Sequence, residues 1–186
     1  TIHLQWFNLI LINRQKNYDK SRIDKVLSFF KSKKLQGLYE LRYLFNCCAY
    51  CLYESRPDDA LKYINIIINN NALKNFDEAV FIETGLLNLI AHSGIGNAEL
   101  VHYLVTNLKR HFKGQHKFPF TLFAAEVLKH YLHFPVNNSA AELKQWSGSM
   151  LAAIRKYYKN HAQQTASFQF NYLWYFENAF SRKSVE

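Results

Sequence analysis

Residues 38–69, LYELRYLFNCCAYCLYESRPDDALKYINIIIN, decide the fold class. The first half is apolar almost all round, with Leu38, Leu41, Leu44, Phe45, Cys47, Cys48, Cys51 and Leu52. A helix of that kind over 38–54 has to be packed on more than one side. Ser55-Arg56-Pro57-Asp58 then breaks it. Ser55 is the expected N-cap of a second helix, and Pro57 stands in the first turn, where its missing N–H is tolerated. The second helix carries Ala60, Leu61, Ile64, Ile67 and Ile68 on one face and is expected to stop at Asn69-Asn70-Asn71. A long apolar helix followed by an amphipathic one makes a helical hairpin.

The same pairing recurs outward from this stretch. Second helices are expected to begin at Ser21, Ser55, Asn97 and Ser139, at intervals of 34, 42 and 42 residues. Ser21 with Asp24, and Ser139 with Glu142, have capping-box spacing. First helices are expected over 2–15, 38–54, from Asn75 with Glu78 to His92, and from Pro119 to Pro135. A final helix is expected over 163–182, and its aromatics, from Phe168 to Phe180, are too many for one stripe. The chain holds only six glycines and three prolines, fewer than sandwiches and barrels need, and it is 49% apolar. The expected fold is therefore all-α: a right-handed αα-superhelix of about four helical hairpins plus a C-terminal helix, with 1–186 as a single helical-repeat domain. Because Thr1 leads directly into an apolar stretch, that domain is expected to belong to a longer protein.

Residues 44–67 resemble a tetratricopeptide repeat. Leu44, Cys48, Ser55 and Ala60 stand at that motif's large, small, turn and small positions, and Ile64 and Ile67 continue the stripe. Phe81 and Gly85 before Leu100, and Ala124 or Ala125, are the partial matches in the following hairpins. The resemblance implies a non-catalytic scaffold that holds a protein or peptide in its concave groove. In some members an Asn two residues before the small position helps clamp a peptide's terminal carboxylate. Asn46 holds that place here, with Arg42 one turn before it.

Helical spacing puts Tyr39, Arg42, Asn46, Tyr50 and Tyr53 on one polar, tyrosine-rich face. Gln164, Asn171, Tyr175 and Asn178 form a similar edge on the last helix. Tyr, Arg and Asn suit recognition surfaces, so Tyr39, Arg42, Asn46, Tyr50, Tyr53, Asn171, Tyr175 and Asn178 are the expected partner-binding residues.

The formal charge of +9 is uneven: +6 over 1–34, −1 over 35–116 and +4 over 117–186. Nucleic-acid binding by the basic terminal hairpins is the alternative reading, with Lys156-Tyr157-Tyr158-Lys159 mixing cations and rings. Against it, Lys31/Lys33/Lys34, Lys109/Arg110/Lys113 and Arg155/Lys156/Lys159 fall at helix C-termini, where cations complement the dipole.

Catalytic and metal chemistry is not expected. Cys48-Ala49-Tyr50-Cys51 lies inside an apolar helix rather than at a strand-to-helix turn, and no second Cys pair supplies zinc ligands. Glu126, His130 and His133 share a helix face without the His-Glu-x-x-His pattern. Ser147-Gly148-Ser149 lacks the strand–turn–helix context of a nucleophile elbow, and no Gly-rich phosphate loop occurs. No cofactor or membrane span is expected. Three cysteines leave at least one unpaired, which fits a cytoplasmic setting.

Overall fold

The computed structural model describes Ser21, Asp24, Lys25, Ser28 and Phe29, then residues 35–111, 119–133, 139–162 and 168–183. Among them every regular element is a helix. Backbone packing groups the chain into two compact units, Thr1–Ile95 and Gly96–Glu186. The helix expected over 2–15 lies outside the described residues. The five described residues between 21 and 29 are helical, as expected.

In the first unit, α1 (Leu38–Tyr53), α2 (Pro57–Asn69) and α4 (Glu78–Gly94) pack against one another in all three pairs. A single-turn helix, α3 (Asn71–Lys74), lies between α2 and α4 in the chain and packs against α2 and α1. Burial follows composition. Every residue of α1 from Leu44 to Tyr53 is buried, as the all-round apolar pattern requires. By contrast α2 buries only Ala60, Ile64 and Ile67, one face of an amphipathic helix. Cys48 and Ala60, the two small positions of the hairpin, are both fully enclosed.

The helix ends correct two expectations. Ser55 is not the N-cap of α2. It stands one residue past the C-cap of α1 with φ 57°, and the Ser55 N–H donates to the Leu52 carbonyl and the Arg56 N–H to the Cys51 carbonyl. That pair of bonds is a Schellman ending, which uses two carbonyls the last turn would otherwise leave unpaired. α2 stops at Asn69 as expected, and the Asn70 side chain then caps α3 by accepting from the Ala72 N–H. Asp77, not Asn75, caps α4, accepting from the Val80 N–H at 3.2 Å. At the entry to α1, Gly37 has φ 62°, and a Cβ there would stand 3.1 Å from the Phe76 ring. Both facts reserve the position for glycine.

The second unit contains α5 (Ala98–His111), α6 (Pro119–His133), α7 (Ala140–Asn160) and α8 (Tyr172–Lys183). Asn97 caps α5 through the Leu100 N–H, as its sequence position implied. Ser139 and Glu142 form the full capping box of α7. α5 packs on α6, where Lys109 meets Glu126 at 2.5 Å, and α7 packs on α8, where Arg155 meets Glu177 at 3.1 Å. The helix expected over 163–182 starts later: residues 168–171 are not helical, and Asn171 caps α8 by accepting from the Trp174 N–H. The aromatic surplus is thereby explained. Phe168 and Phe170 precede the helix and enter a cluster around Phe120 of α6. Phe120 is 4.7 Å from Phe168, 5.0 Å from Tyr172 and 5.3 Å from Tyr157, centroid to centroid. No described helix is long and apolar enough to cross a membrane.

Candidate functional site

Packing divides the tyrosine-rich face of α1. Asn46, Tyr50 and Tyr53 are buried, so they present no groove surface. The Asn46 amide donates to the Arg42 carbonyl at 2.7 Å, inside its own helix. The Tyr50 hydroxyl donates to Asp24 Oδ1 at 2.5 Å, and the Arg56 guanidinium lies 5.4 Å from the Tyr50 ring centre. Burial, with the Asp24 carboxylate beside it, pushes the Tyr50 hydroxyl up to about 12. The Tyr50 hydrogen bond ties Asp24 to α1. Sequence spacing put Asn46, Tyr50 and Tyr53 on one face but held no information about what covers it.

Tyr39 and Arg42 remain accessible, and the structure adds two residues that sequence spacing did not single out. Asp77, the cap of α4, takes the Arg42 Nη2 donor on its second oxygen at 3.2 Å. One carboxylate thus holds a backbone N–H of α4 and a side chain of α1. Phe76, the residue before that cap, lies with its ring over Gly37 and is 51% exposed, while Tyr39 is 37% exposed. No sequence signal marked Phe76, because the glycine beneath its ring is distant in the chain and the cap at Asp77 was not the one expected. The accessible rings of Tyr39 and Phe76 thus belong to the same helix starts as the Arg42–Asp77 ion pair. Arg42 Nε is buried and has no hydrogen-bond partner among the described residues.

The carboxylate clamp implied by the resemblance is not preassembled. Asp77 already neutralises Arg42, and Asn46 spends its amide on a helix carbonyl. In the second unit, Asn171 caps α8, Asn178 Nδ2 donates to the Trp174 carbonyl at 2.8 Å, and Tyr175 packs at 5.7 Å on both Phe170 and Phe176. All three are half-buried. Gln164 lies outside the described residues.

Cys47, Cys48 and Cys51 are buried in α1. Burial pushes Cys47 up to about 12 and raises Cys48 and Cys51 as well. Such thiols stay protonated at neutral pH and are poor nucleophiles and poor metal ligands. Glu126 is held by Lys109, and the side chains of His130 and His133 lie outside the described residues. Ser147 and Ser149 stand in the interior of α7, and Ser149 bonds the Gln145 carbonyl of its own helix.

Comparison of the chain with protein-family models, curated proteins and solved structures gives no match.

Proposed function

We propose that this chain is a non-catalytic, tetratricopeptide-like scaffold that binds a protein or peptide partner. In this reading α1 and α2 are one repeat of a right-handed αα-superhelix, and a cytoplasmic location goes with it. The observation that carries the reading is the Tyr39–Arg42–Asp77–Phe76 edge. It combines two accessible aromatic rings and an ion pair, carried by helices that pack on one another. Aromatic residues and Arg supply most of the binding energy in protein interfaces, and a rigid frame lowers the entropy lost on association. The partner-contacting residues are then Tyr39, Arg42, Asp77 and Phe76, not the buried part of the α1 face. Because Asp77 occupies Arg42, the contact is with partner side chains rather than a terminal carboxylate.

The test is affinity capture with the wild-type chain and the double substitution Tyr39→Ala, Phe76→Ala. Truncating accessible rings leaves the thermal midpoint near wild type. The set of captured proteins should shrink. An unchanged set, with both proteins folded, removes this edge from the proposal.

A further inference from the structure

The second unit is strongly basic, with eleven Lys and Arg against five Asp and Glu over 96–186. Its α7 carries Lys144, Arg155, Lys156 and Lys159, all exposed. At about 100° per residue the four fall within one arc of about 120°. Lys144 and Arg155 stand on one edge of that arc, Lys156 on the other, and Lys159 between them. The only acid on α7, Glu142, is engaged in the capping box. Glu177 of α8 pairs with Arg155, and none of the three lysines has an ion pair or hydrogen bond among the described residues. Cations in the last turn complement the helix dipole, but Lys144 lies toward the N-terminal end of α7, where the dipole gives a cation nothing. The dipole therefore does not account for the array.

The rest of the same side is small or polar. Gln145, Gly148, Ser149 and Ala152 are exposed there, and no exposed apolar side chain larger than that of alanine joins them between Lys144 and Lys159. The residues of α7 turned the other way, Trp146, Met150, Ile154 and Tyr157 among them, are half-buried or buried. Gly148 stands mid-helix, where glycine is a poor choice, and nothing lies within 4 Å of where a Cβ would stand. Packing inside the chain therefore does not require it. A bare backbone at the middle of a cationic face lets an outside body come close.

We propose that this face of α7 docks in the major groove of duplex DNA, with its lysines on the flanking phosphates and Gly148 and Ala152 toward the groove floor. The charge is complementary, because an array of cations with no acid among them meets a polyanion. The major groove is about 12 Å wide and admits an α-helix, and a helix with small side chains along its centre enters furthest. Lys144 and Lys159 stand about 22 Å apart along the axis, so cations engage phosphates at both ends of the docked helix. An acidic protein fits less well, because the face lacks the aromatic anchors that supply most interface energy. An anionic membrane fits less well for a related reason, since interfacial helices bury an apolar face. Double-stranded RNA has a major groove too narrow to be read by side chains, let alone entered by a helix. This inference concerns the second unit and is independent of the Tyr39–Phe76 edge.

The experiment is fluorescence anisotropy of the full chain with a labelled DNA duplex of about 20 base pairs, between about 50 and 200 mM salt. Saturable binding that weakens with salt is expected. Lys144→Gln and Lys159→Gln should each lower the log–log salt slope by about 0.9, one phosphate contact apiece. Gly148→Leu should raise the thermal midpoint, because Leu is the better helix residue, and weaken binding severalfold, because its side chain holds the helix off the groove floor. Opposite signs in those two readouts distinguish docking from a structural role. Four results overturn the proposal. The first is no binding at the lower salt. The second is an unchanged salt slope in both lysine variants. The third is Gly148→Leu binding like wild type while its helical circular dichroism is retained. The fourth is single-stranded DNA or duplex RNA of the same length binding as tightly as duplex DNA, with the same dependence on Gly148.

Discussion

Ser55 occupies the left-handed region at φ 57°, which an L side chain enters at a cost of about 1–2 kcal/mol. The Schellman hydrogen bonds that end α1 hold it there. A β-branched side chain tolerates that conformation least. Ser55→Val should therefore lose about 1–2 kcal/mol of unfolding free energy in a urea titration, whereas Ser55→Gly should not. Equal stability of the two variants would remove the strain argument. A Ser directly before Arg-Pro-Asp carries the same sequence signal whether it caps the following helix or ends the preceding one. Only the pattern of backbone donors distinguished them. Asp77 is the converse case. It caps α4 and pairs with Arg42, so Asp77→Ala should cost about 1–2 kcal/mol, and Asp77→Asn, which keeps the cap, should recover most of it. If Asn recovers nothing, the ion pair stabilises the fold more than the cap does.

At the scale of the element, α1 was the most legible part of the chain. Apolar residues at every helical offset imply burial all round, and the helix is buried all round from Leu44 to Tyr53. That burial has a pH signature. Cys47 is raised from 9.0 to about 12, so below pH 9 both folded and unfolded chains keep its proton and its contribution to stability is complete. Above pH 9 the unfolded chain releases the proton first. Stability should then fall by about 1.4 kcal/mol per pH unit from this one group, until the folded pKa near 12 is reached. Tyr50, raised from 10.0 to about 12, adds a loss of the same sign over its own window. Denaturant unfolding across pH 8 to 11 should show the decline, and Cys47→Ala should make it shallower. A flat wild-type profile would contradict the buried-thiol account. The polar residues of the same helix were less legible. Spacing puts Tyr39, Arg42, Asn46, Tyr50 and Tyr53 along one side, but Asp24 and Asp77, distant in sequence, decide which of them meet solvent.

For the molecule as a whole, each unit has its own core. The three cysteines and Trp6 belong to the first unit, and Trp146 and Trp174 belong to the second. Phe120 anchors the aromatic cluster of the second unit and is 2% exposed. Phe120→Ala should cost that unit about 3–5 kcal/mol. In a Trp6→Phe background, the unfolding midpoint seen by tryptophan fluorescence should drop further than the midpoint seen by thiol reactivity. Coincident drops would mean that the two units unfold as one cooperative body. The charge distribution follows the same division: residues 35–95 carry four Lys and Arg against seven Asp and Glu, while 96–186 carry eleven against five.

Sequence by itself determined the helical class, the hairpin of α1 and α2, and the caps at Asn97 and Ser139. Those features depend on residues a few positions apart, and local periodicity and capping chemistry are visible at that range. Tertiary structure alone decided that Asp77 would occupy Arg42 and that Tyr50 would turn inward to Asp24. It also decided that Phe76 would stay outside over Gly37, and that Phe123, Tyr157 and His161 would align as one stack. Each of these is set by where separate helices meet, and a one-dimensional pattern specifies which face of a helix is apolar without specifying what comes to lie against it.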